Sequence, residues 1–114
     1  MATRIGKSGT KHWIWQRVSA IALIPLSLWI IVAGNQYIFS DYIVAQEWLS
    51  RPTINLLALL SLLSLILHAH LGLVVIIEDY TNGAIKRTLN FVAVVITTII
   101  GISAFFTFLT FSIK

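Results

Sequence analysis

No cysteine occurs anywhere in the sequence, which excludes disulfides, thiolate metal sites and a thiol nucleophile from whatever the chain does. Charge is almost as scarce. Four acidic and eight basic residues are spread over 114 positions, and they gather between long uncharged stretches, as a bilayer sorts a sequence and a soluble core does not. The chain has no Gly-rich dinucleotide motif. Its cationic surplus, +4 at neutral pH, sits beside hydrophobic segments rather than in a basic patch interleaved with aromatics, so no nucleic-acid partner is expected and the cations read as topology signals.

What is abundant is apolar surface. Hydrophobic residues make up 58% of the chain, against roughly 45–50% in soluble proteins. The length suits one domain, residues 1–114. From Ile14 to Phe39 the only formal charge is Arg17, a second uncharged run from Thr53 to Ile77 stops at Glu78-Asp79, and a third follows Lys86 and Arg87. Each is long enough to cross about 30 Å of hydrocarbon as a helix. The reading is an all-α integral membrane protein with three transmembrane helices in up-down-up order, spanning about 14–39, 53–77 and 88–112, packed with a partner membrane subunit. Three such helices are expected to enclose no large cavity of their own.

Between the first two spans, Ser40 to Pro52 mixes Asp41, Glu47 and Arg51 with Tyr42 and Trp48, which suits an interfacial loop or a short surface helix. Thr81-Asn82-Gly83 is a turn signal before the third span. Arg4, Lys7, Lys11 and Arg17 precede the first span and Lys86 and Arg87 lie in the second loop, against Arg51 alone in the first. By the positive-inside rule the N-terminus and the second loop share the cytoplasmic or matrix side. Small residues at Ser61, Ser64, Ala69, Gly72, Gly101, Ser103 and Ala104 permit close helix approach. Trp13, Trp15, Trp29 and Trp48 mostly fit the role of interface anchors.

His68 is the sharpest chemical feature, because it stands roughly 15 Å by helical rise from the Asp79 boundary, near mid-membrane. An ionisable group at that depth needs a partner or a task. One outcome is a neutral ring hydrogen-bonded to a neighbouring helix; the other is a ligand to haem iron, which a neutral imidazole serves well. The residues alone leave both open. Helical geometry sets His68, Gly72, Val75 and Asp79 along one stripe, and Gly72 lacks the Cβ that would push a flat cofactor or a partner helix away. His70 lies about 200° around the helix from His68, so the two do not chelate one metal from one side. Asp79 and Tyr80 end the second helix on the side where Arg17 begins the first. A phenol set among charges can donate to a quinone carbonyl, although Tyr, Asp and Arg at helix ends are also ordinary interface anchors. Arg17 has two candidate partners, Asp79 or a haem propionate.

Two blocks carry a resemblance to a known family. Ser8-Gly9-Thr10-Lys11-His12-Trp13-Ile14-Trp15-Gln16-Arg17-Val18-Ser19-Ala20 looks like the opening of the succinate dehydrogenase hydrophobic membrane anchor subunit. His68-Ala69-His70-Leu71-Gly72, five apolar residues and then Glu78-Asp79-Tyr80 resembles that family's haem-ligand and quinone-site segment in sequence and spacing. The resemblance implies that His68 is an axial ligand to a haem b shared with the larger cytochrome b membrane subunit. It further implies that Tyr80 hydrogen-bonds ubiquinone, that Asp79 supports that tyrosine or its proton path, and that Arg17 lies near the propionates and the quinone pocket. His70 inherits no role. The implied complex, complex II of the respiratory chain and tricarboxylic acid cycle, passes electrons from succinate to quinone. Its FAD and iron–sulfur clusters lie only on the flavoprotein and iron–sulfur subunits, and this chain is a non-catalytic subunit contributing to the quinone site. Either a bacterial inner membrane or a mitochondrial inner membrane fits. The alternatives are a small homo-oligomeric membrane enzyme or transporter, which needs several polar or acidic groups inside its spans, and an anchor that has lost its haem.

Overall fold

The computed structural model describes the backbone of residues 2–113 and the side chains of residues 10–113. The side chains of Arg4 and Lys7, and of the Ser8-Gly9 opening of the first block, lie outside the described residues. Four helices make up nearly the whole fold: α1 (Ala2–Ile38), α2 (Tyr42–Ser50), α3 (Pro52–Tyr80) and α4 (Gly83–Ile113). Among the described residues there is no strand. Three helices, α1, α3 and α4, are long and apolar enough to cross a membrane, so the chain is an all-α, multi-pass membrane protein.

Local chemistry sets the breaks. Arg51 is extended (φ −67°, ψ 130°) and Pro52 opens α3, since the residue before proline avoids helical ψ and proline suits a first helical position. At the other end Thr81 turns extended, and its N–H still donates to Ile77 O at 3.0 Å. Gly83 then takes φ +60°, the only positive φ among the described residues, and the chain reverses into α4 through a conformation that any Cβ disfavours. Pro25 lies inside α1, which continues through it.

The segment after the first span is a nine-residue helix, α2, and its one buried side chain is Trp48. Trp48 is 3% exposed, stacked between Trp29 (ring centroids 5.8 Å apart) and Tyr37 (5.1 Å). This corrects the anchor role assigned to Trp48: its ring is an interior wedge, because two aromatics of α1 and the bare backbone of Gly34 offer it a pocket. A Cβ on Gly34 would stand 3.6 Å from the Trp48 ring and 2.6 Å from Ile38 Cδ1. Trp13 and Trp15 remain exposed, as anchoring requires.

α3 is the centre of the molecule. It packs against α1 on one flank and α4 on the other, while α1 and α4 do not pack on each other among the described residues. The closest approaches fall on small side chains: Ser19, Ala58, Ser61, Ala93 and Ala104 are all buried. Of the small residues expected to serve this way, Ser61 and Ala104 are buried and Gly72 faces α1. Ala69 and Ser103 face outward, and Gly101 has nothing within 4 Å of where a Cβ would stand. The crossing of the helices decides which small residues meet, and composition does not encode it. Near the ends opposite the Thr81 turn, buried Asn55 donates through Nδ2 to Leu49 O (3.1 Å) and Phe108 O (2.9 Å), joining α2, α3 and α4. The gap that α1 and α4 leave beneath α2 is an apolar cleft of about 310 Å³, lined by Leu23, Ser27, Trp48, Ala58, Ser61 and Phe108 among others. The cleft is open rather than enclosed, because α1 and α4 do not close over α3.

Candidate functional site

α3 carries His68 roughly 18 Å by helical rise from its Tyr80 end and roughly 24 Å from its Pro52 end. The ring is half-buried on the α1 flank, with Nδ1 3.0 Å from Ser19 Oγ. Ser19 is itself 2% exposed, and its hydroxyl also reaches Gln16 O at 3.0 Å. The other ring nitrogen, Nε2, makes no hydrogen bond among the described residues and is not among the sealed-off polar atoms. Of the two outcomes that the sequence left open, the bond to a neighbouring helix is present, and it occupies one ring nitrogen only.

His70 points the opposite way, as a 200° offset requires. Its Nδ1 lies 3.3 Å from Thr97 Oγ1 on α4, and that hydroxyl donates back to Ala93 O at 2.8 Å. The third span, which sequence reading left without chemistry, thus supplies a hydroxyl to an imidazole. Among the described residues no three His, Cys, Asp or Glu side chains converge on a metal-sized site. What the fold offers a metal at His68 is a single imidazole nitrogen.

Gly72, one turn further along α3, faces α1: a Cβ there would stand 3.8 Å from Gln16 Nε2. Its bareness thins the contact with a helix of the same chain. Arg17 is exposed, its guanidinium 5.3 Å from the centroid of the Trp13 ring one turn back, a cation–π pair at i, i+4 spacing. It forms no ion pair with Asp79. Ser19 and His68 fix the register of α1 on α3, so Arg17 stands about 3 Å from the His68 level and Asp79 about 16 Å from it on the same side. The structure does not bring Arg17 and Asp79 together. Asp79 and Tyr80 are exposed at the end of α3, Tyr80 by 83%.

Ser19 and Thr97 are the residues that sequence reading missed. For Ser19 a signal existed: His12, Gln16 and Ser19 recur at helical spacing as a polar stripe on an otherwise apolar helix. That stripe is the face turned toward α3, where His12 Nε2 and Gln16 Oε1 are buried without a hydrogen-bond partner.

The chain matches the family model described as succinate dehydrogenase/fumarate reductase transmembrane subunit over residues 2–110. It is similar to the succinate dehydrogenase hydrophobic membrane anchor subunit of Rickettsia bellii (strain RML369-C), 38% identical over 104 residues that cover 90% of this chain and 82% of that one. The protein of the same name from Rickettsia conorii (strain ATCC VR-613 / Malish 7) is 35% identical over 100 residues, 87% of this chain and 79% of its own length. That from Rickettsia felis (strain ATCC VR-1525 / URRWXCal2) is 36% identical over 99 residues, 86% and 82%. No solved structure matches. Three apolar helices and a match running almost the length of the sequence carry the same conclusion: the chain belongs to the family of succinate dehydrogenase/fumarate reductase transmembrane subunits.

Proposed function

We propose that this chain is the hydrophobic membrane anchor of a succinate dehydrogenase, and that His68 Nε2 is one axial ligand of a haem b shared with the larger cytochrome b membrane subunit. The observation that carries the haem reading is the division of labour on the His68 ring, Nδ1 bonded to Ser19 and Nε2 left free at mid-helix. Residues and group fit: a neutral imidazole held through one nitrogen is what haem iron takes from a protein. With one imidazole available, the second axial ligand belongs to the partner. Bound haem would supply one-electron chemistry beside the quinone site.

The rest of the chain binds and orients. Gly72 keeps the flank below His68 thin, so α1 and the group beside it sit close to α3. Arg17, about one turn or less from the His68 level, is the cation for a haem propionate. That register favours the propionate over Asp79, which is too far along the membrane to be its partner. Tyr80 donates its phenolic hydrogen to a ubiquinone carbonyl, and Asp79 supports that phenol or its proton path. Both stand exposed where a partner subunit closes the pocket. The flavoprotein and iron–sulfur subunits dock on that side and hold the FAD and the clusters; alone the chain is non-catalytic. The cations support an N-terminus and a Thr81 turn on the cytoplasmic or matrix side of a bacterial or mitochondrial inner membrane, by the positive-inside rule.

The test is His68→Ala in the complex purified through a tag on this chain. The expected result is loss of the haem b bands from the reduced-minus-oxidised spectrum while the flavoprotein and iron–sulfur protein still co-purify. Unchanged bands refute the ligand role of His68 and leave the anchor reading standing without it. A chain that purifies only with copies of itself refutes the anchor reading in favour of a homo-oligomeric membrane protein.

A further inference from the structure

A serine hydroxyl has one proton to give, and Ser19 has two neighbours for it. Its Oγ lies 3.0 Å from Gln16 O, three residues back in α1, and 3.0 Å from His68 Nδ1 on α3. Helical serines commonly return their proton to a carbonyl three or four residues earlier. Oγ then presents lone pairs to the ring. Two acceptors do not bond, so Nδ1 must carry the imidazole hydrogen and Nε2 the lone pair. The reverse assignment, with Ser19 donating to Nδ1, leaves Nε2–H as an orphan donor at mid-membrane depth, a costly state away from water, and it makes that nitrogen useless to a metal.

The bond is also hard to replace. Ser19 is 2% exposed, and its hydroxyl is the hydrogen-bond partner that the His68 ring has among the described residues. Removing the hydroxyl leaves Nδ1–H buried and frees the ring to rotate.

We propose that Ser19 is the positioning residue for His68: by accepting the Nδ1 hydrogen it fixes the tautomer that presents Nε2 as a lone pair, sets the rotation of the ring, and raises its basicity toward ferric iron. This rests on the reading of His68 as a haem ligand. Outer hydrogen-bond partners of ligand histidines act on the metal through the ligand in this way.

The experiment compares Ser19→Ala, Ser19→Val and Ser19→Thr in the assembled, purified complex, with His68→Ala alongside. The readouts are haem content, low-spin EPR signal, haem midpoint potential and the rate of haem transfer to an acceptor apoprotein. With Ala or Val, the potential rises because the ferric state loses a stronger donor, the EPR signal changes as the ring reorients, and haem leaves about tenfold faster, the lower end of what losing such a partner costs. Thr restores all three. Val and Thr match in shape, so any difference between them belongs to the hydroxyl and not to folding. Wild-type values in Ala and Val overturn the proposal, and so does a Thr variant that behaves as Val does. Haem retained in His68→Ala sinks the ligand reading itself. Haem lost there, with silent Ser19 variants, overturns the positioning role alone.

Discussion

Tyr80, 83% exposed at the end of a membrane helix, has no hydrogen-bond partner among the described residues, which is why it is the residue to test for quinone contact. Tyr80→Phe removes one hydrogen bond worth roughly 1–1.5 kcal/mol and should slow quinone reduction about tenfold. Succinate oxidation with an artificial acceptor that bypasses the membrane should be unaffected; equal loss in both assays counts against the pocket. Asn55 is the residue whose role is structural. Asn55→Ala deletes two interhelical bonds, to Leu49 O and Phe108 O, each worth about 0.6 kcal/mol in a membrane bundle. About 1 kcal/mol of stability should be lost in a denaturant titration of the detergent-solubilised complex, with the haem spectrum unchanged. His68 and Tyr80 were legible in the sequence because depth in a span and position at its end are one-dimensional facts. The Ser19 bond was not, since the residue of α1 that meets His68 is set by where two helices cross.

At the scale of elements, the three long helices were legible from uncharged length alone, because hydrocarbon demands about twenty residues in which every backbone group is internally bonded. α2 was ambiguous for a physical reason. Nine residues are below the roughly 12–15 that an isolated helix needs, so its helicity comes from Trp48 lodged against Trp29 and Tyr37 rather than from local propensity. Trp48→Ala should therefore unfold α2 and open the cleft above α3, seen as faster backbone hydrogen exchange confined to α2 and the adjoining end of α1. The substitution should cost about 3 kcal/mol, the low end for a buried tryptophan. Gly34→Ala should be mild by comparison, since the crowded atom is the end of the exposed Ile38 side chain, which can turn away. An α2 equally protected after Trp48→Ala would refute the wedge.

For the molecule as a whole, the absence of cysteine becomes an experimental advantage, because each introduced thiol reports alone. Asp41→Cys and Asn82→Cys lie in the two connections on opposite ends of the bundle, both exposed. A membrane-impermeant thiol reagent should label Asn82→Cys from the cytoplasmic or matrix side only, and Asp41→Cys from the other side only. Labelling of both from one face would overturn the up-down-up threading. The overall order of spans was thus readable from the sequence, whereas the central place of α3 was not: hydropathy is alike in all three spans and does not say which helix keeps two neighbours. α3 holds an imidazole on each flank, one tied to Ser19 of α1 and one to Thr97 of α4. A slip by one residue would swing both rings through about 100° and break both ties at once. The azimuth of the central helix is thereby indexed, like a shaft keyed on two sides, and anything seated against its remaining face meets that face in a single orientation.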